Sequence, residues 1–223
     1  MVLTVFDASF AGEENMKSQA GYLNLITDTS VRTGDAVCNI AEFSSSTINR
    51  VVRSTMAAES VALSLAIDRQ MYLRLIIECV LYGEPDLTKD WRSGLTVTGV
   101  SVTDAKSLYD HLTKTGSIPA ERQTLIDLLV ARDLHESESM ELKWLPNRHM
   151  LADPLTKALT PNAIYDRFIE KGLYSVIPNE EEEAAEAHRI QLRQAQRERA
   201  KAKKKARREA LDRAIAKEKK RSE

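Results

Sequence analysis

The chain has 223 residues, 43% apolar and 29% charged, enough for one sizeable domain with a real core plus an appendage. Its 8 Gly and 6 Pro exclude a collagenous or low-complexity chain over most of the length. The formal net charge of −1, from 32 Lys+Arg against 33 Asp+Glu, argues at face value against a nucleic-acid partner, although a total conceals its distribution.

In chain order, the N-terminal VLTVFDA (2–8) is an apolar run before a small-residue turn, the pattern of a buried strand. It has no basic leader and meets Asp7 early, so it does not read as a signal peptide. QAGYLNLIT (19–27) and AVCNIAEF (36–43) are two further strands, separated by the turn-rich DTSVRTGD. Ser54 to Leu81 contains neither Gly nor Pro and predicts one helix of roughly 40 Å, with Ala58, Ala62, Leu65, Tyr72, Ile76 and Val80 at helical spacing. Its apolar stretch LRLIIECVLY (73–82) contains Glu78 and is too short to span a bilayer. GLTVTGVSVT (94–103) is Val/Thr-rich and predicts a strand. DAKSLYDHL starts a short helix, and PAERQTLIDLLVARDLH a longer one with Leu125, Leu128 and Leu129 on its face. MELKWLP is a last strand, and LADPLTKAL opens a helix at Asp153–Pro154. The order β-β-β-α-β-α-α-β-α predicts an α/β fold, a mixed sheet with helices packed against it.

The charge is unevenly spread. Residues 1–179 carry 17 basic and 23 acidic side chains, a net of −6, whereas residues 180–223 carry 15 and 10, a net of +5. The tail opens with four Glu (180–183), turns basic over KAKKKARREALDRAIAKEKKR (201–221), and has no aromatic residue. With so little to bury it predicts a solvated helix or a disordered segment, not a second core. The expected division is a folded domain over 1–175 and a charged tail over 176–223. The two cysteines, Cys38 and Cys79, form no CxxC pair, and an intracellular protein in cytoplasm or nucleus is expected.

Four carboxylates stand at element ends. Asp7 closes the first strand, Asp104 follows the fourth, and Asp153 precedes Pro154. Taken singly, each has a structural explanation: a turn residue for Asp7, helix N-caps for Asp104 and Asp153. Glu59, in the first turns of the long helix, is explained equally well by the helix dipole. However, Ala62, Leu63, Ala66 and Ile67 continue its stripe, which points Glu59 inward, where a carboxylate needs a cation or a donor. Strand carboxyl ends are also where open α/β sheets place their sites.

DASFAG (7–12), SQAGYL (18–23), VVRSTMAAESVAL (51–63), VTDAKSLYDHL (102–112), ERQTLIDLLVARD (121–133) and ELKWLPNRHMLADPLTKAL (141–159) occur in this order. Together they resemble the RNase H domain of a copia-type (Pseudoviridae-like) retrotransposon Pol polyprotein, over roughly residues 2–160, with LADPLTK and S-T-x-A-A-E the more specific segments. The resemblance implies an RNase H-like fold with a five-stranded mixed sheet. It also implies that Asp7, Glu59, Asp104 and Asp153 are a catalytic, metal-binding tetrad. In-line phosphodiester hydrolysis needs an activated water and a stabilised leaving oxygen, which two Mg²⁺ ions (or Mn²⁺) held by carboxylates supply. Ser9 and His149 are weaker substrate-contact candidates; a turn hydroxyl and a loop histidine explain them as well.

The implied activity is hydrolysis of the RNA strand of RNA–DNA hybrids, which such an enzyme distinguishes from DNA through 2′-hydroxyls across the minor groove. Lys203, Lys204, Lys205, Arg207 and Arg208 offer phosphate contacts without sequence preference, and KKKARR also resembles a nuclear-import signal. The chain begins with Met just before the first strand, which suits either an excised domain or a free-standing remnant or domesticated copy. The appended tail favours the latter, and a reverse transcriptase or a ribonucleoprotein is the expected partner, with no membrane. The alternative function is a non-catalytic RNase H-like scaffold that engages RNA or a ribonucleoprotein through the tail.

Overall fold

The computed structural model describes residues 1–177 apart from 13–15, 87, 89, 93, 115–121 and 158–160. The expectations for the tail, including Lys203 to Arg208, lie outside the described residues.

Five strands, β1 (Val2–Ser9), β2 (Gln19–Ile26), β4 (Asn39–Thr47), β5 (Gly99–Thr103) and β6 (Glu141–Trp144), form one sheet in the order β4-β2-β1-β5-β6. β2 is antiparallel to β1 and β4, whereas β1–β5 and β5–β6 are parallel. This is the mixed five-stranded sheet flanked by helices that the resemblance implies. Residues 36–43, expected as one strand, divide at Cys38: Ala36–Val37 (β3) leaves the sheet to pair with Leu173–Tyr174 (β7).

β1 is central and covered on both faces, which is why its sequence is apolar nearly throughout instead of alternating. Phe6 and Ala8 face a core shared with helices α1 (Thr55–Leu81), α2 (Lys106–Thr113) and α3 (Arg122–Glu136). Leu3 and Val5 face a second core with Met150, Leu151, Phe168 and Val176, beside the short helices α4 (Asp153–Thr156) and α5 (Ala163–Lys171). Val176 also donates its N–H to the Val31 carbonyl at 3.0 Å. No described helix is long and apolar enough to cross a membrane.

The long helix begins where the sequence predicts, because the Ser54 hydroxyl accepts from the Ala57 N–H and caps it. Its buried face differs from the expected one. Leu65, Tyr72, Ile76 and Val80 are exposed, and the buried positions are Ala57, Ala58, Glu59, Ser60, Ala62, Leu63, Ala66, Ile67, Gln70, Met71, Arg74 and Glu78. In the second half of the helix polar partners outweigh hydropathy. Gln70 Nε2 donates to Thr4 Oγ1 and the Val100 carbonyl, both at 2.8 Å. Arg74 ties the Val97 and Ser139 carbonyls, and the Val97 N–H donates to Glu78. These bonds hold the segments that lead into β5 and β6 and offset much of the cost of burying polar groups, although Gln70 Oε1 has no partner among the described residues. On α3 the correction is smaller: Leu128 is buried with Thr124, Ala131 and Leu134, whereas Leu129 is exposed.

Candidate metal centre

Parallel register places the first two carboxylates side by side. Val2 pairs with Gly99 and Val5 with Val102, so two residues further along each strand Asp7 lies beside Asp104. Glu59 enters from the second turn of α1, on the face that packs against β1. One oxygen from each of Asp7, Glu59 and Asp104 falls within 4.8 Å of the other two. Asp153, the first residue of α4, is not one of these three; Lys157 links it to Asp7, with Nζ 2.6 Å from Asp153 Oδ1 and 3.2 Å from Asp7 Oδ2.

None of the four acids sits as its structural explanation requires. Asp7 lies within β1, opposite Gly21, and is not in a turn. Glu59 is only 4% exposed, too buried for a solvated dipole partner. The residue at the N-cap of α2 is Ala105, and at that of α4 Ala152, so neither Asp104 nor Asp153 caps its helix. Asp104 instead accepts a 2.8 Å bond from Asn147 Nδ2, while the Trp144 indole donates to its carbonyl at 2.9 Å.

Burial and mutual repulsion disfavour the charged carboxylates. Burial pushes Asp7 up to about 6; Lys157 and the Thr156 hydroxyl pull it back, and Asp104 and Asp153 add to the rise. Glu59 is pushed well above the ordinary carboxylate range by burial, then by Asp7 and Asp104. Its Oε2 is buried with no hydrogen-bond partner among the described residues. Burial also raises Asp153, against the pull of Lys157. Lys157 is itself desolvated, but Asp7, Asp153 and Asp104 outweigh that and raise it above its usual value. An oxygen-only donor set, crowded and holding one unpartnered buried oxygen, fits a hard divalent cation, which would favour the ionised forms.

A pH dependence follows. Asp7 titrates near 6 in the folded chain against 3.8 ordinarily, so between those values the folded state binds more protons than the unfolded state. Stability of the metal-free chain should therefore fall as pH rises through that window, and Asp7→Asn should flatten the fall. Thermal melts in chelator at several pH values check this; a wild-type slope equal to that of the variant contradicts it.

Three residues that the sequence reading passed over complete the arrangement. Thr156 donates to Asp7 Oδ2, Lys157 bridges Asp7 and Asp153, and Asn147 holds Asp104. The spacing from Asp153 to Lys157, one helical turn, was the available signal for the lysine. Ser9 ends β1 with its hydroxyl oxygen buried and without a partner among the described residues. His149 closes a single 3₁₀ turn (Asn147–His149), where its carbonyl accepts from the Tyr174 hydroxyl. It is not among the clustered acids.

No protein-family profile and no curated protein matches the sequence. Among solved structures, the chain is similar to RNase H1 from the halophilic archaeon Halobacterium salinarum, at 18% identity over 74% of this chain and 97% of that one, with a TM-score of 0.44. It is similar to the N-terminal RNase H domain of a Mycobacterium tuberculosis protein, solved as a fusion with maltose-binding protein (17% identity, 76% and 96% covered, TM-score 0.44). It is also similar to LC11-RNase H1, isolated from compost by a metagenomic approach and solved in complex with an RNA/DNA hybrid (14% identity, 70% and 94% covered, TM-score 0.44).

Proposed function

We propose that this chain is a metal-dependent ribonuclease H of copia-type retrotransposon origin, which hydrolyses the RNA strand of RNA–DNA hybrids. The observation that carries the reading is the convergence of Asp7, Glu59 and Asp104 at the carboxyl ends of β1 and β5 and the start of α1. S-T-x-A-A-E (54–59) and LADPLTK (151–157) support the retrotransposon origin; the first contributes Glu59 to this cluster, and the second places Thr156 and Lys157 against Asp7.

Asp7, Glu59 and Asp104 would hold Mg²⁺ or Mn²⁺, with Asp153 completing the tetrad. When bound, the divalent ions supply an activated water and neutralise charge at the leaving oxygen. The chain's own residues fix where that happens. Thr156 and the β1 backbone hold Asp7, Asn147 holds Asp104, and packing of α1 on β1 fixes Glu59 in a buried position. Rigid placement of the acids matters because small misplacements cost rate steeply. Ser9 and His149 are proposed contacts to the substrate backbone. Lys203, Lys204, Lys205, Arg207 and Arg208 are proposed to add salt-sensitive phosphate binding.

The test is to offer the wild-type chain an RNA–DNA hybrid, single-stranded RNA, duplex RNA and duplex DNA, with Mg²⁺ or Mn²⁺ and with chelator. Cleavage confined to the RNA of the hybrid, and lost in chelator, is expected. A folded chain that binds the hybrid but never cleaves it, whichever metal is present, would overturn the enzyme reading in favour of a non-catalytic scaffold.

A further inference from the structure

Asp153 stands beside the cluster of Asp7, Glu59 and Asp104, and among the described residues one basic side chain, unevenly placed, is ion-paired with any of these four carboxylates. Lys157 contacts Asp153 at 2.6 Å and Asp7 at 3.2 Å. Among the described residues, neither Glu59 nor Asp104 is ion-paired with any basic side chain. Lys157 is also anchored by its backbone, since its N–H donates to the Asp153 carbonyl at 2.9 Å and ends α4. About two thirds of its side chain is covered, which reduces screening by solvent.

Resting on the reading of the cluster as a divalent-cation site, we propose that Lys157 is an internal counter-cation that makes the two halves of the site unequal. Asp7, Glu59 and Asp104 could hold one divalent ion with the lysine in place, whereas Asp7 and Asp153 could help hold another only if the Lys157 ammonium gave up the carboxylate oxygens that it contacts. Asp7 links the halves, with its Oδ2 already engaged by Thr156 and Lys157. Lys157 is thus a positioning residue: it spares the Asp7–Asp153 pair unrelieved repulsion until that second ion arrives, and it sets how readily the ion enters.

The experiment is calorimetric titration of the full-length chain with Mn²⁺ alone, without nucleic acid, for wild type, Lys157→Met and Lys157→Arg. Wild type should bind one ion and a second at least about tenfold more weakly, a gap of one decade in affinity or more. Lys157→Met should strengthen the second ion by about tenfold, and Lys157→Arg should preserve the gap. A measurement on wild type needs no variant: the nuclear magnetic resonance signal of the Lys157 Cε, followed during a Mg²⁺ titration, should shift with the second ion and not with the first. If Lys157→Met binds both ions as wild type does, or if the Cε signal moves with the first ion, the inference fails while the metal-site reading stands. If wild type binds no divalent ion, both fail.

Discussion

Glu59→Gln should lower cleavage of the hybrid by about a thousandfold or more and, in the same protein, raise the melting temperature of the metal-free chain. The two effects have one origin. Glu59 is almost wholly buried, its Oε2 has no partner among the described residues, and Asp7 and Asp104 stand against its charge. A neutral amide of nearly the same shape relieves that repulsion, but it is a poor ligand for a hard cation. Asp104→Asn should lose cleavage to a similar extent with little gain in stability, because Asp104 is only half-buried and already accepts a bond from Asn147. Single-turnover cleavage and thermal melts in chelator measure both quantities on the same samples. Glu59→Gln that melts lower and cleaves normally would mark Glu59 as a structural carboxylate.

The second large effect should come from a residue with no functional group. Gly21 pairs with Asp7 across β1 and β2, and α4 lies directly over it. A Cβ at that position would stand 2.7 Å from Leu155 Cβ and 2.9 Å from Thr156 Cγ2. Ser45 on β4 clamps the same turn by donating to the Leu155 carbonyl. Gly21→Val therefore cannot be accommodated by a side-chain rotation; α4 must lift, and it carries Asp153, Thr156 and Lys157 with it. Overpacking of this kind costs about 1–3 kcal/mol, and displacement of the acids should lower cleavage by about a hundredfold. Gly34→Ala is the control: a Cβ there meets nothing within 4 Å, and the change should stay within about 0.5 kcal/mol. Denaturant unfolding and cleavage rates compare the two. Equal effects would show that the contact between α4 and β2 does not position the site.

Much of this arrangement is legible in the sequence because apolar periodicity and strand ends obey local rules. The unbroken run from Ser54 to Leu81 announced the long helix, and Asp7 and Asp104 stand out because each ends an apolar strand. The inward direction of Glu59 followed from the small apolar residues one and two turns after it. The second half of the same helix was misread, since Gln70, Arg74 and Glu78 are buried through hydrogen bonds to residues at distant sequence positions, which periodicity cannot register. The brief pairing of Ala36–Val37 with Leu173–Tyr174 was missed for the same reason, whereas helix α5 carries local signals, with Asn162 capping its start and Gly172 in the left-handed region at its end. Thr156, Lys157 and Asn147 were passed over because their importance lies in what they touch: a threonine or a lysine after a helix-opening Asp-Pro is ordinary until β1 brings Asp7 against it.

If water polarised at the Asp7–Glu59–Asp104 cluster is the nucleophile, the bond formed is from water oxygen to phosphorus and the bond broken is from phosphorus to the ribose 3′ oxygen. The most direct measurement is therefore the chemistry of the product ends after the wild-type chain cleaves an RNA–DNA hybrid in heavy-oxygen water with Mg²⁺ or Mn²⁺. Water attack predicts a 3′-hydroxyl on one fragment and, on the other, a 5′-phosphate that has taken up heavy oxygen. A 2′,3′-cyclic phosphate with a 5′-hydroxyl, produced equally well in chelator, would mean that the RNA's own 2′-hydroxyl is the nucleophile and that the carboxylates do not serve as a metal centre.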